Sequence, residues 1–318
     1  MNASHSSHLR LDALAAISGV MIALQARANG ELSHRIENPP QAALISFSSG
    51  LLVVTLYTLL SPAVRRGLKQ LRTAVAKKEI SQWRLLAGAL GGSFVAIQTH
   101  VVPLIGVALY SVASLAGQTA TSLIVDRIGL TGGGPKPISL RRVSAAAITV
   151  TAVLISVWDK LESAHFALLA VVLSLLAGAL VGVQRALNGQ INEHSGQSVT
   201  TSLLNFFTGT AFLVIFILIL IATGREELSP LPTGPWWIYT GGTIGVIYIA
   251  FTSLIVQHLG VLTFTLFSVG GQLVGSLLLD LFAPTENVSV SAYLVTGIVM
   301  TYAGVVVGGV RRSRRASQ

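Results

Sequence analysis

The 318-residue chain contains no cysteine. That absence excludes a disulfide framework, a thiolate metal site and a cysteine nucleophile. Charged residues are also scarce, at 10% of the chain, whereas 52% of the residues are hydrophobic and the mean hydropathy is +0.72. A soluble domain carries about 25% charged residues. So few charges cannot cover a surface that faces water, and lipid is therefore the expected solvent.

Motifs for enzymes and cofactors are missing too. The chain has no G-x-S-x-G and no H-E-x-x-H, and its seven histidines are scattered. The stretch GLTGGGPKPIS at 129–139 has the glycines of a phosphate-binding loop, but it lacks the Gly-Lys-Ser/Thr ending and a preceding strand. A turn is expected there. We therefore expect no enzyme activity, no cofactor and no metal site.

Long apolar runs dominate what is present. A helix that crosses a bilayer needs about 20 apolar residues, with a range of roughly 17 to 25. Pro103 and Gly260 each divide a longer run in two, because proline and glycine end or kink helices. The ten resulting runs are 11–30, 40–60, 83–102, 104–125, 142–158, 164–184, 200–222, 235–256, 260–281 and 291–310. The sequence predicts an all-α integral membrane protein with ten transmembrane helices, the first of them retained because no small-residue cleavage site follows it.

The distribution of Lys and Arg orients the helices. With the N-terminus in the cytoplasm, 17 of the 21 Lys and Arg residues fall on the cytoplasmic side. Both termini are therefore expected inside. The pI of 10.4 reflects this topology, and no soluble basic domain is present that would bind nucleic acid. The segment 61–82 is expected to be a helical cytoplasmic linker whose charges are either solvated or in contact with anionic lipid.

The second half of the chain repeats the first. A shift of 159 residues, and of 154 after the second run, superposes residue types that chance similarity of apolar runs would not match. The superposed pairs are Gly19/Gly178, Gln25/Gln184, Asn29/Asn188, Gly30/Gly189, Phe47/Phe206, Gly50/Gly209, Trp83/Trp237, Gly88/Gly242, Gly91/Gly245, Gly106/Gly260, Ser114/Ser268, Gly117/Gly271, Gln118/Gln272, Ser122/Ser276 and Asp126/Asp280. Each copy, 1–160 and 161–318, holds five runs, so the second copy is expected to be inverted. Inverted repeats are typical of secondary transporters that work by alternating access.

The repeated stretches resemble a known family. GVMIALQARANGELSHRIENPPQAALISFSSG and GALVGVQRALNGQINEHSGQSVTTSLLNFFTG are similar to the beginning of the YdcZ-like inner-membrane exporter family, and AGQTATSLIVDRIGL and GGQLVGSLLLDLF are similar to its fourth-helix signature. The family belongs to the drug/metabolite transporter superfamily, and many members have a single five-helix unit. The resemblance implies two fused units in the cell inner membrane. Helices one to four and six to nine would surround a central cavity, and helices five and ten would pack outside it. Whether helices five and ten also form a homodimer interface is left undecided by the sequence.

Two pairs of amides are the first candidates for function. Gln25 and Asn29, and likewise Gln184 and Asn188, are four residues apart and share one helix face. Because an unpaired amide in hydrocarbon is costly, both faces should point into the bundle. There the amides either bind substrate and form gates, or hydrogen-bond one helix to another. Each pair lies near one end of its run, which favours gates on opposite sides of the membrane.

Further candidates lie deeper in the bundle. Gln118 and Gln272 follow glycines that allow close helix approach, so they either line the cavity or bond between helices. Hydroxyl groups nearer the middle of the helices could also line a cavity, namely those of Tyr110, Ser114, Tyr248 and Ser268.

Charged residues at the helix ends have other expected roles. Asp126 and Asp280 should each pair with a cation, for which Arg127 is the nearest candidate beside Asp126, or cap a neighbouring helix. Arg27 either reaches the outer surface or lines a vestibule that attracts anions. Arg185 is interpreted as marking the cytoplasmic end of its helix.

The absence of carboxylates from the apolar runs limits which substrates and coupling ions are expected. No Asp or Glu lies deep in any run, which disfavours export of cations coupled to protons and favours neutral, zwitterionic or weakly anionic substrates. The sequence thus predicts a secondary transporter that exports small organic metabolites or drugs. The alternative is a lipid scramblase or lipid-carrier flippase, which polar residues facing the bilayer would favour.

Overall fold

The computed structural model describes residues 2–130, 135, 137–158, 165–259, 261–284 and 289–309, and the regular structure of these residues is entirely helical. The helices are α1 (Asn2–Ile36), α2 (Pro39–Leu60), α3 (Pro62–Ala76), α4 (Ala87–Arg127), α5 (Leu140–Ser156), α6 (His165–Ser195), α7 (Ser198–Ala222), α8 (Gly241–Leu259), α9 (Val261–Phe282) and α10 (Ala292–Gly309). Short 3-10 helices, Gln82–Leu86 and Trp236–Tyr239, precede α4 and α8.

Length and composition make six helical stretches of the described chain able to cross a membrane. These stretches lie in α1, α2, α4 with its preceding 3-10 helix, α6, α7 and α9, and α10 is a shorter apolar helix. Two predicted ends were wrong: α1 continues beyond residue 30 to Ile36, and α6 beyond residue 184 to Ser195. Polar residues end an apolar run without ending a helix. Their side chains are unfavourable in lipid, but they are compatible with helical backbone geometry.

The helix break between the third and fourth predicted runs lies at Gly106 and not at Pro103, which corrects the sequence prediction. Pro103 sits inside the helix, whereas Gly106 has φ 82° and ψ 169°, a conformation that glycine adopts without steric cost. The carboxylate of Asp280 accepts hydrogen bonds from the backbone N–H groups of Val107 (3.0 Å) and Ala108 (2.8 Å). The prediction that Asp280 caps a neighbouring helix is therefore confirmed.

The partner of Asp126 also differs from the nearest candidate. The Asp126 carboxylate pairs with Arg142 at 2.5 Å, and not with the adjacent Arg127. Successive residues on a helix point about 100° apart, so a neighbour in sequence is poorly placed to pair, whereas Arg142 reaches across from α5. The prediction of a cation partner is confirmed and its identity is corrected.

Glycines that the duplication superposes make corresponding contacts. A side chain at Gly19 would overlap the backbone carbonyl oxygen of Ser268, and a side chain at Gly178 would overlap that of Ser114. Since Gly19 corresponds to Gly178 and Ser268 to Ser114, α1 packs against α9 as α6 packs against the second part of α4. The same residue types in both copies thus let the same two helix pairs approach at backbone distance.

This close packing predicts unequal effects for two glycines in the same helix. Gly178→Ala is expected to lower the free energy of unfolding by about 1–3 kcal/mol, since overpacking a tight contact costs that much. Gly189 has no atom within 4 Å of an added methyl group, so Gly189→Ala should be neutral or stabilising by up to about 1 kcal/mol. Thermal unfolding of the purified variants in detergent measures both. Equal effects at the two positions would contradict the packing described.

Helices α5 and α10 form a pair beside α4 and α9. A side chain at Gly297 would overlap the Ser156 hydroxyl oxygen, and one at Gly304 would press on Thr149. This arrangement matches what the family resemblance implies for helices five and ten. A homodimer through this pair stays a prediction.

Connecting segments fasten the two halves of the chain to each other at opposite ends. At one end, α3 lies against α6 and α7, and the Thr200 hydroxyl donates to the Val64 carbonyl oxygen at 3.2 Å. The predicted helical linker at 61–82 is thus confirmed over Pro62–Ala76. At the other end, the Gln41 amide donates to the Ser229 carbonyl at 2.7 Å and accepts from the Ser229 N–H at 2.9 Å.

Candidate functional site

A cavity of about 420 Å³ lies in the centre of the helix bundle, between α1, α2, α4 and α6 to α9. Eight of the ten predicted site residues line it: Gln25, Tyr110, Ser114, Gln118, Gln184, Asn188, Tyr248 and Gln272. These residues are brought together from α1, α4, α6, α8 and α9. The two others, Asn29 and Ser268, are buried in helix contacts beside the cavity.

Asn29 closes one end of the cavity. Its side chain is fully buried, and its amide donates to the Gln98 side-chain oxygen at 2.9 Å. The Gln98 amide in turn donates to the Tyr110 hydroxyl at 3.4 Å. On the other side, Asn29 presses on Gly241 so closely that a side chain there would overlap its carbonyl oxygen. Three helices, α1, α4 and α8, are therefore in contact at this end of the cavity.

The corresponding amides at the other end leave the cavity open. The Gln184 amide donates to the Asn205 side-chain oxygen at 2.9 Å, and the Asn205 amide donates to the Asn188 side-chain oxygen at 2.7 Å. These groups border the cavity without crossing it. The lining continues past them to Gly189 and Asn192, which are exposed. The cavity thus opens at the α6–α7 end, although the two ends derive from the same repeated sequence.

Ser268 has a structural contact in this arrangement. Its hydroxyl accepts a hydrogen bond from the Ser18 hydroxyl at 3.4 Å, across the close packing of α1 against α9. Its counterpart Ser114 does line the cavity, where its hydroxyl accepts from the Gln118 amide at 3.3 Å. The side-chain oxygen of Gln118 is buried and has no hydrogen-bond partner in the described structure. That oxygen is free to accept a hydrogen bond from a bound solute.

Several polar residues of the site were missed by sequence reasoning. Asn205, Ser46, Thr201 and Ser202 line the cavity, and Gln98 supports it from behind. The shift of 159 residues superposes Ser46 on Asn205, but matching identical residue types passes over a Ser/Asn pair. Gln98 could have been found from its place inside an apolar run, since a buried amide needs a partner.

Aromatic rings form much of the apolar wall. Phe47 and Phe206, which are superposed by the duplication, meet with ring centroids 5.4 Å apart, and Phe94 and Tyr110 meet at 6.2 Å. Phe47, Phe94 and Phe206 line the cavity. A mostly apolar wall with a few convergent polar groups is the usual construction of a site for a small organic molecule.

Charge on the lining is limited to one side chain. Arg185 is the single Lys, Arg, Asp or Glu on the cavity wall in the described part of the chain. The interpretation that it only marks the end of α6 therefore misses its contact with the cavity. Arg27 lies elsewhere, in an ion pair with Glu31 at 3.4 Å, and its side chain is 14% exposed. It contributes to the closed end, beside Arg35, which also pairs with Glu31.

Comparison with known proteins agrees with this architecture. A solved structure described as "Crystal structure of protein" matches with a TM-score of 0.55 and 17% sequence identity, over 95% of this chain and 96% of that one. At that identity the likeness shows the fold alone. Among curated proteins there is no match.

Family membership follows from two matched segments. The family described as "Putative inner membrane exporter, YdcZ" matches residues 11–155 and again residues 169–307. Together the two segments cover most of the chain, and each holds one copy of the duplicated sequence. The apolar helices accord with a family of multi-pass proteins. The chain belongs to the YdcZ family of inner-membrane exporters, as two family units fused in one chain.

Proposed function

We propose that this protein is a secondary transporter that exports small organic metabolites or drugs through the central cavity. The observation that carries the proposal is the cavity itself: about 420 Å³, lined by amides from both copies, closed at Asn29 and open at Asn192. A carrier needs a site that solvent reaches from one side at a time. Family membership supports the same class of activity.

The proposed mechanism is alternating access between ten membrane-spanning helices in two inverted five-helix repeats. Asn29 and Asn188 are equivalent positions, yet the first is sealed by α4 and α8 while the second borders the opening. Exchange of these two arrangements would close the α6–α7 end and open the α1–α2 end. With Lys and Arg concentrated on the cytoplasmic side, the conformation described here is the inward-facing one.

The lipid-handling alternative receives less support. A scramblase or flippase would turn polar side chains toward the bilayer. Here eight of the ten candidate side chains line an internal cavity instead. Outward positions of the helices hold large apolar residues such as Leu59, Phe207 and Val299.

A thermal-stability screen of the purified full-length protein in detergent tests the proposal. Water-soluble metabolites and antimicrobials form one panel and lipids a second. A ligand at 100 times its Kd stabilises a protein by about 2.7 kcal/mol, so a solute of the right class should raise the unfolding temperature by a few degrees. Gln25→Ala and Gln118→Ala should weaken that shift, because both side chains line the cavity.

The control variant is Gln70→Ala, which removes an exposed amide on α3 away from the cavity and should leave the shift unchanged. Stabilisation by lipids alone would move the assignment to a lipid-handling protein. A solute that stabilised the wild type and both cavity variants equally would place its site outside the cavity.

A further inference from the structure

Arg185 lines three adjoining cavities of the protein. It lines the central cavity, and it also lines two adjoining crevices of about 250 and 230 Å³ that share Gln118 with that cavity. The side chain is exposed, so a solute entering the cavity from the α6–α7 end passes it. Its guanidinium is therefore accessible at the entrance and not buried in a helix contact.

No described carboxylate forms an ion pair with this guanidinium. Asp126 lines the 230 Å³ crevice together with Arg185, but its carboxylate pairs with Arg142. Arg27 pairs with Glu31, Arg142 pairs with Asp126, and Arg84 donates to the Gln190 side chain. Arg185 has neither an ion pair nor a side-chain hydrogen bond among the described residues. The amides beside it carry no net charge. The entrance of the cavity thus holds a guanidinium that has no ion-pair partner among the described residues.

An anion is the ligand that such a group recognises. The planar guanidinium presents N–H donors in a fork that matches a carboxylate, and these charge-assisted hydrogen bonds are stronger than neutral ones. The lining holds no Asp or Glu in the described chain that would repel an anion. Deeper in the cavity, Phe47, Phe94 and Phe206 offer an apolar wall. The combination suits a molecule with an anionic head and an apolar body.

We propose that Arg185 binds the anionic head of the exported solute, so that the substrates are small organic acids with an apolar body. This inference rests on the proposed function, because it takes the central cavity as the substrate site. It goes beyond that function by assigning the charge of the substrate and the residue that selects it.

Matched acids and amides test the inference in the full-length protein. The probes are phenylalkanoates, from phenylacetate to 5-phenylpentanoate, and the primary amides of the same acids, titrated calorimetrically into the purified protein. At least one acid should bind more tightly than its amide. In Arg185→Gln the affinity for that acid should fall about tenfold or more, as expected for loss of a hydrogen bond to a charged group, while affinity for the amide should stay within about twofold.

Two further variants separate recognition from other effects. Arg185→Lys keeps the charge and should retain part of the preference for the acid. Arg72→Gln removes an exposed charge on α3, outside the cavity, and should leave the preference unchanged, which controls for the net charge of the protein. Unfolding temperature and elution volume of each variant establish that it is folded.

The outcomes distinguish the inference from the function on which it rests. Equal binding of acids and amides, unchanged in Arg185→Gln, would overturn the inference and leave a transporter of neutral solutes. If neither the acids nor the amides bind, the inference is also overturned. The thermal-stability screen with other solutes then decides on the proposed transport function. A selective loss of acid binding in Arg185→Gln, with Arg185→Lys intermediate, supports it.

Discussion

Oxidation of the double variant Asn29→Cys/Gly241→Cys is expected to reduce transport to the level of protein-free vesicles, and a reductant should restore it. Asn29 of α1 and Gly241 of α8 are in contact at the closed end of the cavity, and alternating access requires them to separate. A disulfide holds its two Cα atoms within about 7 Å, which would keep that end shut. Flux of a solute identified by the stability screen, in proteoliposomes, is the measurement.

Because the native chain has no cysteine, only the two introduced cysteines can form a disulfide within the chain. A second pair, Thr149→Cys with Gly304→Cys, provides the matched control, because these positions touch within the α5–α10 pair, away from the cavity. That disulfide should form without stopping transport. If the cross-linked Asn29/Gly241 variant transports at the wild-type rate, the closed end is not a gate.

Loss of the Asp280 carboxylate is expected to destabilise the protein more than any other single charge removal discussed. Asp280 is 2% exposed and accepts from two backbone N–H groups where α4 restarts after Gly106. Each buried N–H group left without an acceptor costs about 1–3 kcal/mol, so Asp280→Ala should lower the free energy of unfolding by about 3 kcal/mol or more. Asp280→Asn keeps one acceptor oxygen and should lose roughly half as much.

Denaturant and thermal unfolding in detergent measure these differences. Glu193→Ala is the control, because Glu193 is exposed near the end of α6 and surface substitutions usually change stability by less than about 0.5 kcal/mol. An Asp280→Ala protein as stable as Glu193→Ala would mean that water, and not the carboxylate, satisfies the N–H groups of Val107 and Ala108.

The local composition of the sequence explains which features of the fold and of the candidate site could be predicted. The helical positions and the membrane as environment follow from apolar runs, and the duplication follows from residue types that recur in the same order in both halves. The family and the inner membrane were implied by the resemblance of the repeated stretches. These features need no knowledge of which helix touches which. Eight of the ten candidate residues line the cavity for a similar reason: polar side chains in apolar helices avoid lipid and turn inward.

Other features are decided by contacts between residues far apart in sequence. The break at Gly106 in place of Pro103 depends on an acceptor supplied by Asp280 of α9. Asp126 takes its partner from α5 and not from its neighbour Arg127. Asn205 enters the site because its amide bridges Gln184 and Asn188. No periodicity within one helix encodes such pairings.

By itself, the sequence determined the solvent of this protein, its helical class and its construction from two related copies, because each depends on the chemistry of consecutive residues. Only the tertiary structure decided that Asn29 is sealed against Gln98 and Gly241 while Asn188 borders an opening, and that Arg185 lies on the cavity wall. Equivalent sequences in two copies meet different neighbours once the chain has folded, and the asymmetry of the site arises from those neighbours.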